Sequence, residues 1–325
     1  MKQEWIDRPE GGGTFALRLI RDFALLCGRT VTRLVLWPIT LYFLIRRRPE
    51  RRASRTYLQR VTGRPVSLWN VAQHIYCFAA VILDRVFLLS ERFRRFDIRT
   101  SGLDELRGAL RHHRGALLFG SHLGSFDALR VLATVREDVR VRVVIDMEQS
   151  PAMMQVLNAL NPALANSVIN ARQEGTTTAL AIKEALEQQC LVTMLVDRAR
   201  PGNAVAKVNF LGVPALFPTS PWMLAIALKV PVVLCFGLYR GGNRYDLHFE
   251  LFAETLSVER SRRADSLTEV IQRYADRLAH HARSAPYNWF NFYDFWYVPG
   301  TATGSSVAAP ADGADRPAGS GSSGA

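Results

Sequence analysis

Residues 116–127 read ALLFGSHLGSFD, and this stretch decides the fold. The apolar run that ends at Gly120 predicts a short buried strand, and Gly124 allows the sharp turn that follows it. Ser125 can then cap a helix that begins at residue 126. A buried strand that leads directly into a helix is the repeating unit of an α/β protein.

The same alternation continues along the chain. An amphipathic helix is predicted at 68–91, because apolar residues recur there at three- or four-residue spacing. Strands are predicted at 116–120, 141–145, 167–169, 191–196 and 232–236, with an edge strand at 245–252. Helices are predicted at 126–136, 151–160, 176–189, 221–229 and 264–283. We therefore expect an α/β fold with a mostly parallel central sheet covered by helices on both faces.

The composition excludes several classes of protein. The chain has 325 residues, of which 48% are hydrophobic, so it can bury a sizeable core and cannot be disordered throughout. Its four cysteines lie in apolar runs without C-x-x-C spacing, which indicates buried thiols rather than a disulfide scaffold or a metal site. Adjacent histidine pairs occur at His112-His113 and His280-His281, but neighbouring side chains point in different directions and chelate poorly. We expect no metal and no redox cofactor.

An apolar stretch near the N-terminus indicates contact with a membrane. Residues 23–45 are long enough to span a bilayer but are interrupted by Arg29 and Arg33, which cost a few kcal/mol each on insertion. Two interpretations involve the membrane: a marginal transmembrane helix, or a helix lying in the interface with its apolar face in lipid. A third is a buried helix at the edge of the domain.

A strongly basic segment follows directly. Residues 46–64 contain eight arginines and one glutamate, which accounts for +7 of the net charge of +12. Next to an apolar helix, such a run favours the cytoplasmic face and anionic lipid head groups. Nucleic-acid binding and a solvated linker are the alternatives. We divide the chain into a membrane-associated segment at 1–64, a catalytic domain at 65–298 and a disordered tail at 299–325.

His122 and Asp127 are the candidate catalytic pair. On one continuous helix they would lie about 140° apart. They can meet if His122 lies on the turn after the strand and Asp127 in the first helical turn. A neutral imidazole can then take a proton from an alcohol while the carboxylate holds its other nitrogen. The pair would lie beyond the carboxyl end of a strand, where open α/β sheets bind ligands.

The motif His122-x-x-x-x-Asp127 resembles the H-x-x-x-x-D signature of glycerolipid-type acyltransferases. Over residues 15–297 the chain is similar to the lipid A biosynthesis lauroyl/myristoyl acyltransferases of bacterial inner membranes. The N-terminal apolar helix and its basic run carry part of this resemblance. Three further segments carry the rest: Leu195-Val196-Asp197-Arg198, then Val208-Asn209-Phe210-Leu211-Gly212 with Pro214 and Pro218, and finally Pro286-Tyr287-Asn288-Trp289. Residues 290–296 lack the basic residues usual in the family, and with the Arg-rich run they resemble a branch found beside aryl polyene and glycolipid gene clusters.

The resemblance implies a membrane-associated O-acyltransferase on the cytoplasmic face of a bacterial inner membrane. It would move a fatty or polyene acyl chain from acyl carrier protein or CoA to a lipid or glycolipid hydroxyl, without a cofactor or a nucleic-acid partner. It implies His122 as general base and Asp127 as its orienting partner. Arg198 and Lys207 would contact anions, and Gly124 and Ser125 would belong to the substrate site.

Two alternatives to this function remain. One is a lysophospholipid or glycerol-phosphate acyltransferase that uses the same pair of residues. The other is a non-catalytic protein that binds lipid or nucleic acid through residues 46–64.

Overall fold

Three helices precede the sheet. In the computed structural model these are α1 (Thr14–Arg46), α2 (Arg48–Thr62) and α3 (Leu68–Leu89). The structure describes residues 14–90, 94–111, 115–128, 140–148, 151–171, 175–199, 202–259 and 261–296. The predicted tail at 299–325 and most of the helix predicted at 126–136 lie outside these residues.

A seven-stranded sheet forms the centre of the described chain. The strands of the protein are β1 (Asp97–Ser101), β2 (Ala116–Gly120), β3 (Val141–Ile145), β4 (Val168–Asn170), β5 (Leu191–Leu195), β6 (Val205–Phe210), β7 (Val213–Pro218), β8 (Val232–Gly241) and β9 (Arg244–Ala253). The order in the main sheet is β1-β9-β8-β2-β5-β3-β4, and every neighbouring pair is parallel except β8–β9. β6 and β7 form a separate antiparallel hairpin. The predicted α/β fold with a mostly parallel sheet is confirmed.

Helices cover both faces of this sheet. Besides the first three they are α4 (Leu103–Arg111), α5 (Pro151–Leu160), α6 (Pro162–Asn166), α7 (Gly175–Glu187), α8 (Ser220–Leu228) and α9 (Arg263–Ser284). β2 is fully buried, and its alternating residues divide between two cores. Leu117 and Phe119 pack in one apolar cluster, and Ala116 and Leu118 pack in the other. Burial on both faces is what a continuous apolar strand in a parallel sheet requires.

The structure corrects three expectations about these elements. The strand predicted at the edge, now β9, lies inside the sheet between β8 and β1. β1 itself was not predicted, because its sequence DIRTS is polar and mostly exposed. The basic segment includes a packed helix, since α2 buries Ser54, Tyr57, Leu58 and Val61.

α1 lies against α3 rather than apart from the domain. Its helical geometry is interrupted at Gly28, where φ is +78° and ψ is 168°. Among the described residues, two helices, Asp22–Arg46 and Leu68–Leu89, are long and apolar enough to cross a membrane, and most of the second is buried in the protein.

Candidate active site

His122 lies on a tight turn directly after β2. Gly124 adopts a φ of +74°, and a Cβ at this position would come within 2.0 Å of the Gly237 carbonyl oxygen. The amides of Gly124 and Ser125 donate to the carbonyls of Asn288 and Gly237 at 2.8 and 2.7 Å. The Ser125 hydroxyl oxygen accepts from the amide of Ala128 at 3.2 Å, so Ser125 caps the next helical turn as expected. The turn therefore holds His122 at the carboxyl end of the sheet.

The carboxylate that contacts the imidazole is Asp197. His122 Nδ1 lies 2.8 Å from Asp197 Oδ1, and the His122 backbone amide donates to Asp197 Oδ2 at 3.1 Å. The register of the sheet explains this pairing. β2 and β5 are parallel neighbours in which Gly120 faces Leu195, so the residues two positions beyond each strand end are also neighbours.

Asp127, expected on the imidazole, has a different contact in the structure. Asp127 is buried, and its Oδ2 accepts a hydrogen bond from Arg85 Nε at 2.6 Å. Arg85 lies on α3, so this contact connects α3 to the segment that follows His122. The expectation rested on spacing along the chain, whereas the His122 Nδ1 contact follows from two strands pairing across the sheet.

The tautomer and charge of this pair follow from the contact. Burial alone would raise the pKa of Asp197, but His122 and Arg198 outweigh it and lower that pKa to about 2. An ionised carboxylate can only accept, so Nδ1 of His122 carries the proton and Nε2 is left as a base. Burial, followed by the positive charges of Arg198 and Arg85, lowers the pKa of His122 below its ordinary value of 6.5 despite Asp197. The side chain of His122 remains 32% exposed, so Nε2 belongs to a neutral imidazole that is partly open to solvent.

The segment 288–290 completes the surroundings of the pair. Trp289 is fully buried, and its indole Nε1 donates to Asp197 Oδ2 at 3.1 Å. The Phe290 amide donates to the His122 carbonyl at 2.9 Å. The Asn288 side chain exchanges two hydrogen bonds with the Tyr239 backbone on β8. The segment 288–290 therefore supports the pair of His122 and Asp197, called the dyad below.

A buried histidine supports Trp289 from the opposite side. His74 lies 3.0 Å from the Trp289 carbonyl through Nε2 and 2.8 Å from the Ser54 hydroxyl through Nδ1. A carbonyl can only accept, so Nε2 is protonated and Nδ1 accepts from Ser54. Burial lowers the pKa of His74 to about 4, which keeps this histidine neutral. α2 and α3 are in this way connected to the site through Trp289.

Arg198 is a cation beside the dyad. Its Nη2 donates to the Phe290 carbonyl at 2.7 Å, and its guanidinium carbon lies 5.4 Å from the centre of the Tyr293 ring. Its Nε is buried and has no hydrogen-bond partner among the described residues. A buried guanidinium donor without a partner is suited to an anionic or developing anionic oxygen.

Lys207 is not brought to this site. It is exposed on β6, where Ala206, Val208 and Phe210 alternate with it and are buried. Phe210 packs 5.1 Å from Trp289, so Lys207 lies on the face of the hairpin that points away from the dyad.

The cavities, the potential metal ligands and the cysteines of the described chain do not form a second candidate active site. Two cavities, of about 360 and 400 Å³, are lined by residues of α9 and β9 and of β4 and α7, without His122. In the described part of the chain, no group of three or more His, Cys, Asp or Glu residues could hold a metal ion. Cys77, Cys190 and Cys235 are buried free thiols.

A comparison with protein families supports acyl transfer. The model of the bacterial lipid A biosynthesis acyltransferase family matches residues 68–297, which is more than two thirds of the chain and includes His122, Asp197 and Trp289. A comparison with curated proteins gave no match. The chain therefore belongs to the bacterial lipid A biosynthesis acyltransferase family, whose members are acyltransferases that act on lipid.

Proposed function

We propose that this protein is a membrane-associated O-acyltransferase that moves a fatty or polyene acyl chain from a thioester to the hydroxyl of a lipid or glycolipid. The observation that carries the proposal is the 2.8 Å contact between His122 Nδ1 and Asp197 Oδ1. It leaves Nε2 as the basic nitrogen of a neutral, partly exposed side chain at the carboxyl end of the sheet, where a substrate hydroxyl can meet it.

The reaction follows from the protonation states of the pair. His122 Nε2 takes the proton of the acceptor hydroxyl as its oxygen attacks the thioester carbonyl carbon. Asp197 stabilises the imidazolium that forms and keeps the ring oriented. The carbon–sulfur bond then breaks, and the departing sulfur receives the proton from Nε2. The product is an ester, the released carrier is a thiol, and His122 is neutral again.

Arg198 supplies the positive charge that this reaction needs. We assign its unpartnered Nε to the oxygen of the tetrahedral intermediate or to a phosphate of the bound substrate. The Phe290 carbonyl and the Tyr293 ring hold the guanidinium in position, so little reorganisation is needed when negative charge develops.

We assign the other predicted site residues to structural or binding roles rather than to the chemical step. Gly124 and Ser125 shape the turn that carries His122, through a positive φ and a helix cap. Asp127 is assigned to the Arg85 contact beside the base. Lys207, on the outer face of its hairpin, is assigned to an anionic partner such as a carrier protein rather than to the reacting atoms. We place the catalytic domain at 65–298 and the protein on the cytoplasmic face of the inner membrane.

The test is acyl transfer by the purified full-length chain, with His122→Ala as the decisive variant. Donor thioesters of acyl carrier protein and of CoA are assayed separately against glycolipid, lysophospholipid and glycerol-phosphate acceptors. We expect His122→Ala to lose transfer with every donor. His280→Ala is the control, because His280 is an exposed histidine on α9. Substantial transfer by a folded His122→Ala protein contradicts the mechanism, and transfer to glycerol phosphate or a lysophospholipid alone assigns the alternative acceptor.

A further inference from the structure

The exposed apolar surface of the protein is concentrated on one side of α1. All but two of the large apolar side chains that are exposed in the described residues lie on α1 or at the start of α3. The two exceptions are Leu180 and Val205. Along α1 the exposed residues recur every three or four positions, at Val31, Leu34, Trp37, Leu41 and Ile45. An apolar stripe of this length on a surface helix marks an interaction site.

The opposite side of α1 faces the protein and carries both polar and apolar residues. Ala24, Thr32, Leu36 and Thr40, spaced by multiples of four residues, are buried there. α1 therefore packs a mixed side against the domain and leaves an apolar stripe outward, whereas an ordinary surface helix turns its apolar stripe to the core.

The two arginines that interrupt the apolar stretch are bound within the protein. Arg29 makes two hydrogen bonds to the buried carboxylate of Asp84, at 2.7 and 2.8 Å. Tyr245 donates to the same carboxylate at 2.9 Å. Arg33 donates to the hydroxyl of Tyr239 and, at 2.7 Å, to the carbonyl of Gly242. Neither arginine needs a partner in a membrane. Arg29 attaches α1 to α3, and Arg33 attaches it to β8 and to the turn between β8 and β9.

This attachment determines how α1 can meet a bilayer. α1 packs along α3 and reaches the β8–β9 turn, so it cannot cross the hydrocarbon layer without carrying these elements into it. The turn includes the exposed Gly242 and Asn243, and exposed turns are not tolerated within the hydrocarbon region. The helix can instead lie parallel to the membrane surface with only its outer side in lipid.

We propose that the outer side of α1, together with Leu68 and Trp69, docks the protein in the plane of a bilayer that contains anionic lipid. Trp37 and Trp69 are both about half exposed, and their rings stack at 5.6 Å, which suits the boundary between acyl chains and head groups. Arg46, Arg48, Arg52 and Arg55 are exposed just beyond the apolar stripe. Their charges select anionic head groups as the partner. The inference deepens the membrane association of the proposed function and is independent of the catalytic step.

The experiment measures the binding of the full chain to vesicles of phosphatidylethanolamine with and without phosphatidylglycerol. Leu34→Glu places a charge in the outer stripe, and Leu180→Glu is the matched control, because the two leucines are 69% and 65% exposed on different helices. We expect Leu34→Glu to weaken binding at least about tenfold, since the burial of one leucine in lipid is lost. Leu180→Glu is expected to bind like the wild type, and phosphatidylglycerol is expected to strengthen the binding of both.

A second measurement shows whether α1 lies parallel to the membrane surface or spans the bilayer. An epitope at the N-terminus of vesicle-bound protein is expected to be fully digested by protease added outside. Protection of the epitope inside the vesicles overturns the proposal in favour of a spanning helix. The proposal is also overturned if Leu34→Glu binds vesicles as tightly as the wild type. A stable dimer that Leu34→Glu dissociates, with vesicle binding unchanged, would likewise show that this face binds a second copy of the chain instead of lipid. A protein that binds vesicles through this face but transfers no acyl chain contradicts the proposed function and leaves this inference intact.

Discussion

The indole Nε1 of Trp289 donates a hydrogen bond to Asp197 Oδ2 at 3.1 Å, across 92 residues of sequence. Asp197 Oδ2 also accepts from the His122 amide, while Oδ1 faces His122 Nδ1. Every contact named here orients the carboxylate toward the imidazole. Trp289 is therefore part of the geometry that keeps His122 Nε2 free to act as a base.

Replacing Trp289 by phenylalanine tests this contact. The variant keeps an aromatic ring but loses the N–H donor, and a hydrogen bond to a charged group contributes about 1.5–3 kcal/mol. We expect kcat/KM to fall about tenfold to a hundredfold. A carboxylate with one donor fewer is a stronger partner for the imidazolium, so the pKa of His122 rises. The acid limb of the kcat/KM–pH profile is expected to move to higher pH.

Trp296→Phe is the matched control for that change. Trp296 lies in the same aromatic cluster, and its Nε1 donates to the Phe210 carbonyl at 3.2 Å instead of to the dyad. A loss of packing should affect both variants alike, but only Trp289→Phe should shift the pH profile. Equal shifts in both variants would show that the Asp197 contact does not position the base.

A second prediction separates the two carboxylates. Asp197→Asn removes the charge that holds Nδ1–H, and the corresponding change in a Ser-His-Asp triad lowers kcat on the order of 10⁴-fold. We expect a loss on the order of 10³–10⁴-fold here, because His122 then loses its tautomer and its orientation. Asp127→Asn leaves the contact between Asp197 and His122 Nδ1 intact and weakens the bond from Arg85.

The Asp127 variant should therefore lose only about tenfold, as expected for one weakened hydrogen bond to a charged group. Both variants are measured as kcat under saturating donor, with unfolding midpoints to confirm folding. A loss in Asp127→Asn as large as that in Asp197→Asn would assign the orienting role to both carboxylates.

The sequence was sufficient to predict where His122 lies but not which carboxylate contacts its Nδ1. The apolar run before Gly120 and the glycine after His122 predicted a strand, a turn and the right location for the imidazole. Asp127 was chosen because five-residue spacing is visible along the chain. Asp197 stands two residues after β5, as His122 stands two residues after β2, and this repeated position was the available signal. Which strands are neighbours depends on the whole sheet, and the local pattern does not contain that information.

The N-terminal helix shows a similar limit. Hydropathy predicted an apolar helix with two costly arginines, and it left spanning, lying in the interface and burial at the domain edge open. Arg29 bonds to Asp84, 55 residues away on α3, and no periodicity in the sequence points to this contact. Likewise the polar strand β1 becomes part of the sheet only because β9 offers it an unpaired edge.

The third prediction concerns the pH dependence of the wild type. The free enzyme must have a neutral His122, and the pKa of this residue lies below 6.5 because of burial, Arg198 and Arg85. The rate should therefore remain high as the pH falls past 6.5 and should decline only where His122 becomes protonated. Asp197, with a pKa of about 2, stays ionised throughout this range. The measurement is kcat/KM from neutral to acidic pH, and a half-maximal rate above pH 6.5 contradicts the assignment.

The fourth prediction tests the turn that carries His122. Gly124→Ala forces a Cβ to within 2.0 Å of the Gly237 carbonyl oxygen at a φ of +74°. Gly63→Ala is the control, because Gly63 has a φ of +65° with nothing within 4 Å of the added Cβ. The control should lose only about 1–2 kcal/mol of unfolding free energy, which is the left-handed backbone penalty. Gly124→Ala should lose clearly more, and equal unfolding midpoints would show that the approach to Gly237 is not constrained.

The fifth prediction separates the effect of the positive charge of Arg198 from the effect of its guanidinium donors. Arg198→Gln removes both the charge and the unpartnered Nε donor. We expect kcat to fall on the order of 10²–10³-fold, as when one donor to a developing oxyanion is lost. Because Arg198 lowers the pKa of His122, the acid limb of the rate should also move to higher pH.

Arg198→Lys completes the comparison, because lysine keeps the charge but cannot reproduce the guanidinium fork. The acid limb of the Arg198→Lys profile should stay close to that of the wild type while kcat still falls, since an ammonium held at the Phe290 carbonyl has no N–H at the position of the guanidinium Nε. Full activity in Arg198→Lys would mean that only the charge matters. An unchanged pH profile in Arg198→Gln would mean that Arg198 does not influence the base.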